Sequence, residues 1–333
     1  MNMQNFIDDY AVLDDVSIQS ASMDELFPPE IAKAVANAER IKIFNVSDET
    51  LEQPIVRADR IVFESGAKLR IPESNWPYVV LWADELLFAS PQARATIYRD
   101  LEWEAQDGSS GAAGANKPTA GRSGRHGRRG DQGGPGGTGK PGASVELPEL
   151  YIITNKVVVQ DGSVPDFVNL KILVPGVDGG TGGAGGRGGN GGAGGPGLRG
   201  ASGGIGCRRG PGNGGHGGDG GPGGRGGDGG AGGDGGDVVY FGPQAAIDVL
   251  QFSGVVNIPG EPGNAGQPGP HGNPGKGGPR GARPGPCGGG RRGRNGSIPS
   301  PANLGRGNIG EAGSKGSTTA YIVKKIDDLL PAT

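Results

Sequence analysis

Three short stretches of this chain carry the side chains best suited to recognising a charged partner. They are Gly124-Arg125-His126-Gly127-Arg128-Arg129, Gly206-Cys207-Arg208-Arg209, and Cys287-Gly-Gly-Gly-Arg291-Arg292-Gly293-Arg294. Guanidinium groups bind phosphate and carboxylate through two parallel N–H donors. Clusters of this kind therefore suit an anionic ligand such as nucleic acid or a cell-surface glycan. Arginine also serves simply to keep an exposed turn soluble. The cysteines Cys207 and Cys287 are too few for a metal cage or a disulfide scaffold. They could pair with each other in an oxidising setting or remain free thiols.

Other motifs carry less. Gly134 to Lys140 has the spacing of a phosphate-binding loop, but Pro141 stands where Ser or Thr is needed and no strand–helix frame surrounds it. Gly232-Gly-Asp-Gly-Gly-Asp237 matches one calcium-binding nonapeptide, and a single copy has no stacked partner. Asp228, Asp234 and Asp237 are expected to be hydrated or paired with arginines. Asp84 and Glu85 are adjacent, so on a regular strand they point to opposite faces and do not form a catalytic pair. All three histidines (His126, His216 and His271) lie in glycine tracts. The expectation is a non-enzymatic protein with no cofactor and no metal.

What positions the arginines is a glycine scaffold. The chain has 73 glycines and 27 prolines among 333 residues, with 33% hydrophobic and 5% aromatic side chains, which excludes one large core. The tracts span about 107–144, 176–237 and 259–317, each in period three. In the second, Gly-Gly-x repeats carry Ala184, Arg187, Asn190, Ala193 and Pro196, then, after a slip, His216, Asp219, Pro222, Arg225 and onward to Asp237. Period three fits the extended left-handed helix with three residues per turn. That helix has no internal hydrogen bonds, so rods must pair laterally, and ordering so many glycines alone is costly. Each arginine cluster falls at the centre of a tract, as expected if each tract is a hairpin of two rods. A flexible linker, a collagen trimer and ice-binding rods are the competing readings. The strict triplets, the central phase breaks and the charged x positions weigh against these in turn.

Between the tracts lie strand-like blocks at 55–104, 146–175, 238–258 and 318–325, rich in β-branched residues. They include Ile55–Phe63, Ala67–Ile71, Tyr78–Trp82, Glu85–Ala89 and Ala246–Phe252. The expected fold is mainly β: a small β-helix-like core, or a sandwich, that the chain leaves and re-enters three times. Residues 1–54 read as an acidic head, with a capping box at Ser22-x-x-Glu25 and a short helix over Glu30–Ala38. Residues 1–104 hold 19 acidic and 9 basic side chains, net −10, and the remainder 16 and 23, net +7. Such asymmetry separates an attachment end, where a protein partner could bind, from a contact end. No signal peptide or membrane span is expected, which implies synthesis in a cytoplasm.

The Gly-Gly-x runs and their central turns resemble the glycine-rich adhesins at the tips of T-even-like phage tail fibres. The resemblance implies an N-terminal domain attached to a fibre, a crown of polyglycine rods, and turns that bind the host surface, hence a virion-associated protein. It carries binding roles to Arg128, Arg129, Arg208, Arg209, Arg291 and Arg292. The chain departs from that family in its larger β blocks and in its few, basic turns.

Overall fold

The computed structural model describes residues 17–19, 27–100, 104–123, 126–127, 143–203, 206–285, 287–299 and 305–331. Its elements are β1 (Ser17–Gln19), α1 (Pro29–Asn37), β2 (Arg40–Thr50), β3 (Ile55–Ile71), β4 (Tyr78–Phe88), β5 (Ala95–Arg99), β6 (Arg122–Ser123) and β7 (His126–Gly127). There follow β8 (Glu149–Val159), β9 (Leu170–Leu173), β10 (Ala201–Gly203), β11 (Gly206–Arg209), β12 (Val238–Gly242), α2 (Gln244–Leu250), β13 (Gly254–Val256), β14 (Thr318–Ile322) and a 3-10 turn at Ile326–Leu329. The capping box at Ser22 lies outside the described residues.

The fold is mainly β, and its ten-stranded sheet is nearly closed and barrel-like. Every pairing within that sheet is parallel, so an antiparallel sandwich does not form. Two ladders build it. In one, β2, β3, β4, β8, β12 and β14 follow one another in sequence order, with β1 at the far edge. In the other, the second half of β3 pairs β5, then β9, then β13. The strand β3 serves both ladders because Gly66 takes φ +80, a conformation open to glycine, where the chain bends between them. Ile55–Phe63 and Ala67–Ile71 are therefore one strand rather than two, and so are Tyr78–Trp82 and Glu85–Phe88.

Alternate residues stack inside. Ala58 lies beside Ala83, Ile61 beside Leu86 and Phe63 beside Phe88, whose rings stack at 4.9 Å. Each fully buried Ile, Leu or Phe among them contributes roughly 1.5–3 kcal/mol relative to exposure. Ala83 and Leu86 both belong to the interior cluster, so the alternation breaks across Asp84 and Glu85. The two carboxylates thus lie together outside the core, not on opposite faces. Glu85 is buried between its ion-pair partners Arg60 and Lys156, its register neighbours on either side. Asp84 pairs with Arg40 at 2.5 Å, and Arg40 also holds Asp59 at 2.6 Å.

The outer face of the first ladder is covered as well. Phe27, Ile31 and Val35, on and just before α1, form a second cluster with Val80, Trp82, Tyr151, Ile153 and Phe241, closed by Ile326 and Leu329. Strands buried on both faces explain the unbroken apolar runs of β4 and β8. Arg57 donates to the carbonyls of Val35 (3.1 Å) and Ala36 (2.8 Å), a cation at the helix C-terminus. The block expected as a strand at Ala246–Phe252 is instead the helix α2. Its buried residues Ala246, Ile247, Val249 and Leu250 follow helical rather than alternating spacing.

Beyond the strands, the glycine segments exchange backbone hydrogen bonds in period three. Gly236, Gly233, Gly230 and Gly227 donate to Val174, Val177, Gly180 and Gly183, and the series runs on to Gly212 and Leu198. Gly260, Gly263 and Gly266 donate to Gly233, Gly230 and Gly227, continuing to Gly281 and Gly212. Gly179, Gly182 and Gly185 donate in turn to Glu261, Asn264 and Gln267. On the other side, Gly214, Gly217, Gly229 and Gly232 donate to Arg291, Arg294, Asn308 and Glu311. Gly108, Gly111 and Gly114 reach Thr181, Ala184 and Arg187. At the junction with the strands, the buried Arg99 donates to the carbonyls of Pro175 and Gly176, and burial lowers its pKa to about 10.

Candidate anion-binding site

Glycine is required here by space. A methyl group added at Gly214, Gly223, Gly229 or Gly293 would collide with a backbone carbonyl of the neighbouring segment. The third residue of each triplet points outward, and its chemistry is not arbitrary. Asn213 Oδ1 accepts the N–H of Arg291 at 2.8 Å, and His216 Nδ1 accepts that of Arg294 at 2.9 Å. Asp219, Asp228, Asp234 and Asp237 accept the N–H groups of Ser297, Asn308, Ser314 and Ser317 at 2.6–2.7 Å. Asp107, Asn116, Asp178 and Asn190 do the same for Thr181, Asn190, Glu261 and Asn273. The amide of the facing residue would otherwise lack a carbonyl partner, so a short side chain with an acceptor supplies one. Asp228, Asp234 and Asp237 thus clamp the backbone of the facing segment. Asp228 also pairs with Arg225 at 2.9 Å. Sequence reasoning missed this ladder; its signal was Asn, Asp or His recurring in one phase of the triplet.

The arginines expected to bind lie at the end of these segments remote from the strands. Arg208 and Arg209 are exposed on β11, which pairs antiparallel with β10. The Arg208 side chain lies over Gly203, where an added Cβ would sit 2.7 Å from its Cδ. Cys207 and Cys287 are disulfide-bonded, with Cα atoms 4.8 Å apart, and this joins the turn of the second tract to that of the third. Arg283 donates through Nε to the Cys287 carbonyl at 3.0 Å. After the positive-φ residues Gly289 and Gly290, the chain turns back through Arg291, Arg292 and Arg294, all exposed. Arg292 Nε reaches the Gly277 carbonyl at 3.4 Å. The structure thus brings Arg208, Arg209, Arg291, Arg292 and Arg294 to one end. Arg125, Arg128 and Arg129 fall outside the described residues.

Further cations join them. Arg199, Lys276, Arg280 and Arg283 are exposed at the same end. The chain has no Asp or Glu from 179 to 218 or from 262 to 310. Of the acidic residues in these segments, Asp178, Asp228, Asp234, Asp237, Glu261 and Glu311 lie toward the strands, whereas Asp219 lies beside Arg291, Arg292 and Arg294. Charge is therefore graded along the segments, basic at the turns and acidic at the base. A cavity of about 510 Å³ lies beside Asn213, His216, Asp219, Arg291, Arg292, Arg294 and Asn295. Among the described residues no group of three or more His, Cys, Asp or Glu could hold a metal, and no helix is long and apolar enough to cross a membrane.

No protein-family model matches the chain, and no curated protein matches it. Among solved structures, a springtail antifreeze protein from Granisotoma rainieri, a nine-membered polyproline type II helical bundle, aligns at 23% identity. The alignment covers 59% of this chain and 94% of that one, with a TM-score of 0.08. A superposition that poor carries no argument about fold or function.

Proposed function

We propose that this chain is a non-enzymatic binding protein that displays an arginine-rich tip on rigid glycine rods, for recognition of an anionic cell or host surface. In this reading the parallel sheet is a β-helix-like base, and the three glycine tracts are hairpins of threefold extended rods packed as a bundle. Period-three lateral hydrogen bonds, and glycine wherever backbones meet, support that architecture. A rod from Gly212 to Gly236 would be about 75 Å long at the rise of such a helix. The acidic N-terminal part serves as the attachment end.

One observation carries the functional half of the proposal. Nine exposed cations, from Arg199 to Arg294, share an end with Asp219, whose carboxylate is engaged by Ser297, and a disulfide joins two of the turns that hold them. Repulsion among them has no structural use, whereas an anion would relieve it. The test is binding of the full chain to an immobilised polyanion across a salt series. Replacing Arg208 and Arg209 with Ala should weaken binding at least tenfold and flatten its salt dependence. Unchanged binding in that variant removes the tip as the site.

A further inference from the structure

The arginines at the tip are ordered as well as clustered. Arg291 and Arg294 are one triplet apart, so along an extended threefold chain they repeat at about 9 Å. Their backbone N–H groups are gripped by Asn213 Oδ1 and His216 Nδ1, which sets both residues in register with the facing segment. Accepting through Nδ1 leaves His216 with its proton on Nε2, a donor on an exposed ring. One triplet further on, Asp219 accepts both the N–H and the hydroxyl of Ser297, each at 2.7 Å, and ends the cationic stretch. Asn295 stands beside the row, its Oδ1 accepting the Gly277 N–H at 2.9 Å, which leaves its amide NH₂ as donor. The result is a groove lined by three guanidinium groups (Arg291, Arg292 and Arg294), an imidazole N–H and an amide NH₂, with the Asp219 carboxylate, engaged by Ser297, at its end.

We infer that this groove binds a linear acidic glycan, with carboxylate or sulfate groups on alternate sugars set against Arg291 and Arg294. The inference rests on the anion-binding reading above and narrows its ligand. Two features favour a glycan over nucleic acid. A nucleic acid strand carries a charge every 3.4 Å or so along a duplex, much closer than the arginine repeat. Single strands are held chiefly by stacking of bases on aromatic rings, and the segments 107–144, 176–237 and 259–317 contain no Phe, Tyr or Trp. An acidic polysaccharide with one charge per two sugars repeats on the arginine scale. Its hydroxyls offer acceptors to His216 and Asn295.

The experiment uses the full oxidised chain with three probes of matched net charge: hyaluronan oligosaccharides (one carboxylate per disaccharide), kappa-carrageenan oligosaccharides (one sulfate per disaccharide, no carboxylate) and a DNA oligonucleotide. At one or both glycans the affinity should exceed that for DNA at least tenfold, and the better glycan identifies the anion. Arg291→Ala and Arg294→Ala should each lower glycan affinity fivefold or more. Both side chains are exposed and the clamps hold main chain, so these variants should unfold at the wild-type midpoint. Equal affinity for DNA and both glycans, lost in the Arg208/Arg209 variant, would overturn the glycan inference while leaving a general polyanion tip. No binding to any probe at low salt would overturn both.

Discussion

The imidazole of His216 accepts, through Nδ1, the backbone N–H of Arg294 at 2.9 Å. One bond thereby links the two themes of the molecule. It satisfies an amide that the lateral carbonyl network leaves over, and it sets the position of a cation at the tip. The same geometry recurs toward the base with Asp in place of His, so lateral cohesion and the placing of Arg291 and Arg294 depend on one ladder of short acceptors.

That ladder predicts a selective sensitivity. Asp237→Ala leaves the Ser317 N–H and hydroxyl without their acceptor. Both bonds are exposed to solvent, so the expected loss in urea unfolding is that of ordinary net hydrogen bonds, about 0.5–1.5 kcal/mol. Asp237→Asn keeps the Oδ1 acceptor and should cost much less. Equal losses in the two variants would mean that charge rather than hydrogen bonding is at work.

Glycine positions should divide sharply. At Gly223 an added methyl meets the Gly269 carbonyl head-on, whereas at Gly206 nothing lies within 4 Å. Gly223→Ala must push two segments apart and should cost at least about 3 kcal/mol, the upper range for overpacking. Gly206→Ala should be nearly neutral. Thermal unfolding of the pair is the check, and indifference at Gly223 would contradict close lateral packing.

Joining Cys207 to Cys287 closes a loop with a sequence separation of 80. Reduction, or a Cys207→Ser and Cys287→Ser double variant, should lower stability by about 2–4 kcal/mol. It should also weaken anion binding, because the two arginine turns are then no longer tethered. Retained stability and affinity after complete reduction, verified by thiol titration, would show the link to be dispensable.

Glu85 gives a pH signature. Burial alone would raise its pKa, but the hydrogen bond and charge of Lys156, with Arg60 beside it, hold it below the ordinary 4.5. A carboxylate lowered in the folded state contributes stability above its unfolded value, and the contribution is lost as pH falls through the folded value. Wild-type stability should therefore decline below about pH 4.5 more steeply than that of Glu85→Gln. Parallel pH profiles for the two proteins would refute the assignment.

Much of the frame could be read before any coordinates. Ile55–Phe63, Tyr78–Trp82 and Glu85–Ala89 announced strands through β-branched and aromatic runs, and the glycine triplets of the sequence reappear as triplets of hydrogen bonds. Other features depend on neighbours that no local pattern reveals. The helix α2 was hidden because a short apolar run such as Ala246–Leu250 fits either period, and only burial decides it. The parity break at Asp84-Glu85 accompanies cross-strand ion pairs that stack Arg60, Glu85 and Lys156 in register. At the tip, Arg208 and Arg291 stood out as clusters. Arg280, Arg283 and Lys276 did not, because single cations in a repeat gain meaning only when folding gathers them.

The claim on which all else rests is that the glycine segments lie side by side, joined through their amides. Amide hydrogen exchange of the intact protein, followed residue by residue by NMR, tests it most directly. Between residues 212 and 236 the account predicts slow exchange at both glycines of each triplet and faster exchange at the residue between them. Uniformly fast exchange along that stretch, with the strands β4 and β8 still protected, would contradict it.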